Sequence, residues 1–456
     1  MGMSKPRRLG AVAAAAISVL MLAACGGSGD TGGTTSGATG GKVDGAGKTL
    51  NVLMNVTAQY PQEQQAWFKE MSTKFKAETG ADIQWETFAT ANDEMTRIQT
   101  SVVSGQGPDV YGLGTTFTPT AYSTGAFVKL GDNEWNALGG KDKFVPAALG
   151  ISGPDDGNQI GIPFVSRPFV MAYNTELLAA AGIEKPATTW DEFTEHAKKL
   201  TTGDQYGVAV AYKDNFDPWK YIWGMSIQAG NPIIDGDKVR LDDPITKKAY
   251  ETYFGWVTKD KVVDPASVGW ANPQALAAFA AGKAGYFPMT SPLSIPALDA
   301  SAVKGKYKYA LMPTVPPGET ANPSDGKPAS SILSGDNLVV ADYSKQKDLA
   351  FAFIKMITEK DVQLNYFKVF GQLPANQEAA NELASNEVIA PALESGAKSV
   401  ATPFSGAWGD VQLSLTNVVV QSIPDLSSGE VSDSNLTQRL KDEQAKSQTA
   451  LDRAKK

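Results

Sequence analysis

From residue 49 onward the chain predicts an α/β fold, with mainly parallel sheet covered by helices on both faces. Two observations carry this expectation: apolar strand-like runs alternate with amphipathic helical patterns, and helix-capping residues punctuate the alternation. Leu50-Asn51-Val52-Leu53-Met54-Asn55-Val56 reads as a buried strand ending in polar Asn55 and Thr57. Pro61 suits the first turn of the next helix, where an N–H would go unpaired anyway. Trp67, Met71 and Phe75 then recur at every fourth residue, and Thr79-Gly80 stops the helix. Ile83 and Trp85 alternate with polar neighbours as a second strand. Met95, Ile98 and Val102 mark a helix ending near Gly105, and Pro108-Asp109-Val110-Tyr111 begins a third strand. In such a sheet, ligands bind beyond the carboxyl ends of the strands.

The alternation resumes with a strand at Phe169 to Asn174 and a short helix stopped at Gly182. Thr189-Trp190-Asp191-Glu192 has the form of a capping box, opening a helix that carries Phe193, Ala197 and Leu200 on one face. His196 lies at the edge of that face and reads as a packed helical residue. Gly207 to Ala211 is a strand. Lys345 to Thr358 is an amphipathic helix, and a last helix runs from about Ser434 to Arg453 with Leu436, Leu440 and Leu451 as its apolar contacts.

The 456 residues suggest two or three domains at about 100 to 200 residues each. A formal charge of −8 argues against a phosphate-binding nucleic-acid surface, which would be basic. One cysteine excludes an internal disulfide framework, and one histidine excludes a His-rich metal site. Residues 1–24 read as a signal peptide: Lys5, Arg7 and Arg8 precede an apolar run that is short for a membrane span. Loss of this leader takes the formal charge from −8 to −11. Leu22-Ala23-Ala24-Cys25-Gly26 resembles the bacterial lipobox, whose cysteine receives a diacylglyceryl group. A second acyl chain turns marginal membrane attachment into stable anchoring. Residues 25–48 are expected to form a lipidated flexible linker, being mostly Gly, Ser, Thr and Asp. Gly27-Ser28-Gly29-Asp30-Thr31-Gly32 matches the dinucleotide fingerprint only formally, without a strand before it or a helix after it.

Seven short motifs then occur in order: Gly107-Pro108-Asp109-Val110, Gly161-Ile162-Pro163-Phe164, Tyr173-Asn174-Thr175-Glu176-Leu177-Leu178, Gly182-Ile183, Pro186 to Phe193, Phe279-Ala280-Ala281-Gly282-Lys283-Ala284 and Lys347 to Ile354. Together, behind a lipobox, they resemble the extracellular solute-binding proteins of bacterial ABC importers, in the branch that includes the maltodextrin-binding proteins. The resemblance covers essentially all of residues 49 to 456. It implies two discontinuous α/β lobes joined by a hinge, with ligand held between them. Lobe one would comprise 49–165 and 329–371, and lobe two 166–325 and 375–456.

A sugar site pairs aromatic faces, which pack on the C–H faces of a pyranose, with polar groups that satisfy its hydroxyls. Trp67, Trp85 and Trp190 are explained by core stripes and the cap. Trp219, in a first helical turn after Pro218, is a candidate for the cleft, while Trp223 one turn later reads as core. Trp270, in a loop-like stretch before a helix, has no evident burial partner and is a second candidate. Trp408 matches a position where the maltodextrin-binding relatives carry a stacking tryptophan. The resemblance also carries Thr115, Thr116 and Ser291 to the cleft edge, with core or turn roles equally open. Asn55 closes the first strand. Arg167, near the expected crossing between lobes, forms either a salt bridge or a ligand contact; in the latter case its guanidinium suits a carboxylate or phosphate even better than sugar hydroxyls. Asp109 either pins its loop or meets ligand, and Asp336-Asn337 lies where lobe one would line the cleft.

The resemblance implies a membrane-anchored oligosaccharide-binding protein that delivers its solute to ABC permease transmembrane subunits from the extracellular face of the cell membrane, as in Gram-positive bacteria. No catalytic residue, cofactor, metal or nucleic-acid partner is expected, and a monomer is. Two alternatives stay open: the same scaffold with an anionic solute such as a glycerophosphodiester or acidic sugar, and a surface glycosidase, which needs only two carboxylates.

Overall fold

The computed structural model describes residues 43–455. The segment expected to be a signal peptide, Cys25 and the expected linker up to residue 42 lie outside the described residues. The last residues assigned to that linker are docked on the body instead. Gly45 donates its N–H to Thr79 O at 2.8 Å, and a Cβ on Gly45 would stand 2.7 Å from Ala81 Cβ and 2.8 Å from Leu349 Cδ2. Val43 packs on the neighbouring apolar cluster, so packing onto the body begins before the first strand.

In chain order the strands are β1 (Thr49–Asn55), β2 (Asp82–Phe88), β3 (Val110–Gly114), β4 (Ile162–Ser166), β5 (Val170–Asn174), β6 (Tyr206–Val208) and β7 (Ile234–Asp235). They continue with β8 (Lys238–Val239), β9 (Ala284–Thr290), β10 (Tyr307–Ala310), β11 (Ser331–Ile332), β12 (Gly335–Val340), β13 (Leu373–Pro374) and β14 (Ser399–Val400). Two larger sheets organise the body. One has the order β13-β4-β12-β3-β1-β2, the other β10-β5-β9-β6.

Alternation along single strands divides each sheet's two faces between separate cores. Leu50, Val52 and Met54 of β1 enter one cluster and Leu53 enters another. In the second sheet Val170 and Ala172 of β5 face one cluster while Met171 faces the other. The helix Pro61–Thr79 buries Trp67, Met71 and Phe75 and ends on left-handed Gly80, which donates to Lys76 O. Thr189 caps the helix Trp190–Leu200 by accepting from Glu192 N at 3.1 Å; the Glu192 carboxylate reaches back to Thr188 N at 2.8 Å, one residue earlier than a standard box. His196 is packed as expected, with Nδ1 3.1 Å from Tyr286 OH, and burial lowers its pKa.

The sheets are mixed, which corrects the expectation of mainly parallel pairing. β1 is parallel to β2 and β3, and β6 to β9, but β12 runs antiparallel to both β3 and β4, and β5 antiparallel to β9 and β10. The reason is connectivity: β12 returns from the second sheet and enters the first from the opposite end.

The chain crosses between sheets at Arg167–Phe169 and again at 333–334, and these segments are tied by Arg167 N–H donating to Ser334 O at 2.8 Å. The second crossing lies later than the boundary expected at 329. Ala329 and Ile332 are buried in the second sheet's core, and β11 pairs with β14, so the return begins only at Gly335.

Candidate functional site

Between the two sheets lies a cleft enclosing about 1560 Å³ of space, its open mouth included. It sits beyond the carboxyl ends of β1, β2 and β3, where backbone groups are no longer consumed by strand pairing. From the first sheet come Asn55 and the residues after it to Gln59, Phe88 at the end of β2, Glu94, and Gly114 at the end of β3 with the residues after it to Phe117. Thr57 and Asn55 are held by Gln64, whose Oε1 accepts from Thr57 N at 3.0 Å and whose Nε2 donates to Asn55 O at 2.7 Å. Glu94 is 2% exposed and accepts Gly114 N–H at 2.8 Å. Burial holds its carboxyl well above the ordinary glutamate value; the Gly114 N–H opposes this, Asp336 adds to it and Arg167 opposes it.

The hinge forms the back of the cleft. Arg167 Nη2 lies 2.6 Å from Asp336 Oδ2 and 2.6 Å from Gln372 Oε1, and Nη1 lies 3.4 Å from Asp336 Oδ1. Burial works against the guanidinium charge, but the Asp336 carboxylate outweighs it and raises the arginine's pKa. This pair joins the first crossing to β12.

The second sheet's wall is a hydrogen-bonded network. Asp214 accepts from Phe216 N, Asp217 N and Asn272 N, drawing the loop before helix Pro218–Gln228 onto the loop before helix Asn272–Ala280. Asn272 donates to Asp217 Oδ2 at 2.6 Å and accepts from Gln59 Nε2 at 2.6 Å, so one side chain reaches across the cleft from the first lobe. Tyr60 OH makes a second crossing contact, to Leu293 O at 2.6 Å. Lys220 binds Asp217 at 2.7 Å and rests 4.2 Å above the Phe169 ring. Burial, then Asp217, raise the Asp214 pKa, against its backbone donors and Lys220. Phe169, Phe216 and Trp219 line this wall and Phe88 and Phe117 the other, all but Phe216 being buried.

Of the residues singled out in the sequence, Asn55, Thr115, Thr116, Arg167, Trp219, Ser291 and Asp336 line this cleft. Three do not. Asp109 is at the amino end of β3, away from the cleft, where it accepts Asn51 N at 2.8 Å and the Ser344 hydroxyl at 2.6 Å. It pins its loop. Trp270 is half-buried against the outer core of the second sheet; the cleft takes the next four residues, Ala271 to Gln274, instead. Trp408 is fully buried, edge-on to Trp219 at 6.0 Å and 72°, in the layer behind the wall. It heads the helix Trp408–Ser428, whose first turn abuts the first lobe: Gly409 N–H donates to Thr120 Oγ1 at 3.4 Å, and a Cβ on Gly409 would stand 3.2 Å from Phe117 Cδ1. One turn on, Gln412 reaches the cleft.

Sequence reasoning missed Glu94, Asp214, Asp217, Lys220, Asn272 and Gln412. Asp214 carried one usable signal, an acid placed to cap the turn before Pro218, whereas Asp217 makes no cap bond. Glu94 and Gln412 sit inside helical patterns and carried none.

Among the described residues no group of three or more His, Cys, Asp or Glu side chains is placed to hold a metal ion, and no helix is long and apolar enough to cross a membrane. The family model for bacterial extracellular solute-binding protein matches residues 70–393. The diacetylchitobiose binding protein DasA of Streptomyces coelicolor is 29% identical over 417 residues, 89% of this chain and 91% of that protein. Among solved structures, a solute binding protein of an ABC transporter from Thermotoga lettingae bound with α-D-tagatose superposes with a TM-score of 0.72 at 19% identity, covering 89% of this chain and all of that one. The Thermus thermophilus maltotriose binding protein bound with maltotriose gives 0.69 at 19% identity, covering 88% and 99%.

Proposed function

Because the chain belongs to the bacterial extracellular solute-binding proteins, we propose that it captures a neutral oligosaccharide in the interlobe cleft and passes it, chemically unaltered, to the transmembrane subunits of an ABC permease. The observation that carries this reading is the lining of the cleft: five aromatic side chains, Phe88, Phe117, Phe169, Phe216 and Trp219, stand among amides, hydroxyls and carboxylates on both walls. Aromatic faces cover the C–H surface of a sugar ring, and polar groups replace the water its hydroxyls lose. The ligand contacts are Trp219, Asn55, Thr115, Thr116, Ser291 and the Arg167–Asp336 pair. Such a ligand, touching both lobes, stabilises the closed arrangement by its differential affinity for it. The relative named as a diacetylchitobiose binding protein supports a small oligosaccharide over a monosaccharide.

An anionic solute rested on Arg167, and that guanidinium is already engaged by Asp336 and Gln372. In the same reading, Cys25 carries the lipid that holds the protein, as a monomer, at the extracellular face of the cell membrane.

The test is a thermal-shift screen of the purified protein against di- to tetrasaccharides of the malto, cello and chito series beside their monosaccharides. Saturation at one hundred times Kd adds about 2.7 kcal/mol of stability, a readily measured rise in Tm. Absence of a shift with every oligosaccharide overturns the sugar assignment. Chromatography of the ligand after long incubation overturns unaltered delivery if shorter sugars appear.

A further inference from the structure

Most buried side-chain polar atoms find a partner, and those that do not mark a place where something else binds or water intrudes. Two of the unpartnered buried atoms among the described residues line the cleft: Thr115 Oγ1 and Gln412 Oε1, on residues 5% and 2% exposed. They belong to different walls. Thr115 opens the short turn after β3, while Gln412 stands on the helix Trp408–Ser428, whose buried face packs in the second lobe's core. That helix meets the Thr115–Phe117 turn at Gly409, and both residues line the same cleft.

The charges around them have a definite balance. Both cations of the cleft are occupied, Arg167 by Asp336 at 2.6 Å and Lys220 by Asp217 at 2.7 Å. The two remaining acids, Glu94 and Asp214, have no cation of their own and are held by backbone N–H groups. Among the described residues no positive group lining the cleft is left to receive an anion, and any anion entering would face carboxyl groups across a desolvated space.

We propose that Thr115 and Gln412 form a recognition pair that holds a hydroxyl-bearing end of the ligand from both lobes at once, in a cleft whose charge balance admits neutral sugars and excludes anionic ones. This rests on the oligosaccharide reading and extends it to the residues that read the ligand and to its charge. A sugar hydroxyl both donates and accepts, so it satisfies either end of the Gln412 amide and the Thr115 hydroxyl together. Because the two side chains come from opposite walls, their shared ligand also ties the lobes.

The experiment uses the full chain and the variants Thr115→Val and Gln412→Leu, which keep side-chain volume while removing the unpartnered atoms. Isothermal titration with the tightest neutral disaccharide of the screen is expected to show Kd raised roughly tenfold in each variant, the loss of about one hydrogen bond. The unliganded variants are expected to melt at or above the wild-type temperature, since each has lost a buried polar group with nothing to bind. The corresponding uronic-acid disaccharide and sugar phosphate are expected to bind at least tenfold more weakly than the neutral sugar. Wild-type affinity in both variants, or tighter binding of either anion, overturns the proposal. Should no sugar bind at all, the oligosaccharide reading falls, and the melting temperatures still decide the rest: a fall in both unliganded variants shows the two groups to be structural and overturns their role in recognition.

Discussion

The two walls of the cleft are built on different principles. The first lobe presents residues at the ends of β1, β2 and β3, where a strand stops and its next few residues emerge in a direction the sheet dictates. The second lobe presents loops, Asp214 to Asp217 and Ala271 to Gln274, held in place by each other's hydrogen bonds around Asp214 and Asn272. The first wall is therefore set by the sheet and the second by a network whose members lie about 58 residues apart in the chain. The contrast teaches where rigidity comes from: one wall is as stable as its sheet, whereas the other depends on every link and on the packing behind it.

The largest expected effect tests that packing. Trp408 is fully buried behind Trp219, so Trp408→Ala leaves a cavity and is expected to lower unfolding free energy by about 3–5 kcal/mol, read from denaturant midpoints. Trp219→Ala, on an indole that lines the cleft although only 2% exposed, is expected to weaken sugar binding by about 2 kcal/mol or more in titration. A Trp408→Ala protein as stable as wild type yet unable to bind would place the indole in the site and reverse the assignment of these two layers.

The hinge comes next. Arg167→Met strands the Asp336 carboxylate and is expected to destabilise the fold by about 2 kcal/mol, less than a fully buried pair, because the two side chains keep 19% and 10% exposure. Equilibrium unfolding in urea measures it. Unchanged stability with lost affinity would mean that the guanidinium serves ligand rather than the hinge.

The smallest effect belongs to the first wall. Burial gives Glu94 a higher proton affinity in the folded chain than its ordinary value of 4.5, with Asp336 adding to the shift and Arg167 and Gly114 N–H opposing it. An acid with a raised folded pKa holds its proton longer when folded, so its contribution is fully present below about pH 4.5 and is lost as pH rises through the raised value. The unfolding free energy of Glu94→Gln is therefore expected to gain on wild type as pH increases from 4.5, by at most about 1.4 kcal/mol per pH unit, read from melting curves. Parallel melting curves across that range would show the carboxyl to be ionised throughout.

Local signals determined a good deal about this protein. The helix Pro61–Thr79 with its four-residue apolar spacing, the Thr189 cap and the end of β1 at Asn55 were legible because each rests on neighbours within a few residues. Ordered motifs carried the family, and with it Thr115, Thr116 and Ser291 at the cleft, though also Trp408, which is buried; Trp219 was reached from its first helical turn, and Arg167 and Asp336 from the expected layout of the lobes. Tertiary structure alone decided which tryptophan faces that cleft. Trp219 and Trp408 both occupy the first turn of a helix, and their difference arises from which of two contacting indoles stands in front. It decided as well that Arg167 is spent on Asp336, 169 residues away, and that the sheets are mixed, since pairing direction depends on the side from which a returning strand enters. Contacts within one turn or strand leave a periodic trace in the chain; contacts between segments far apart leave none, because any sequence distance can be closed by the fold.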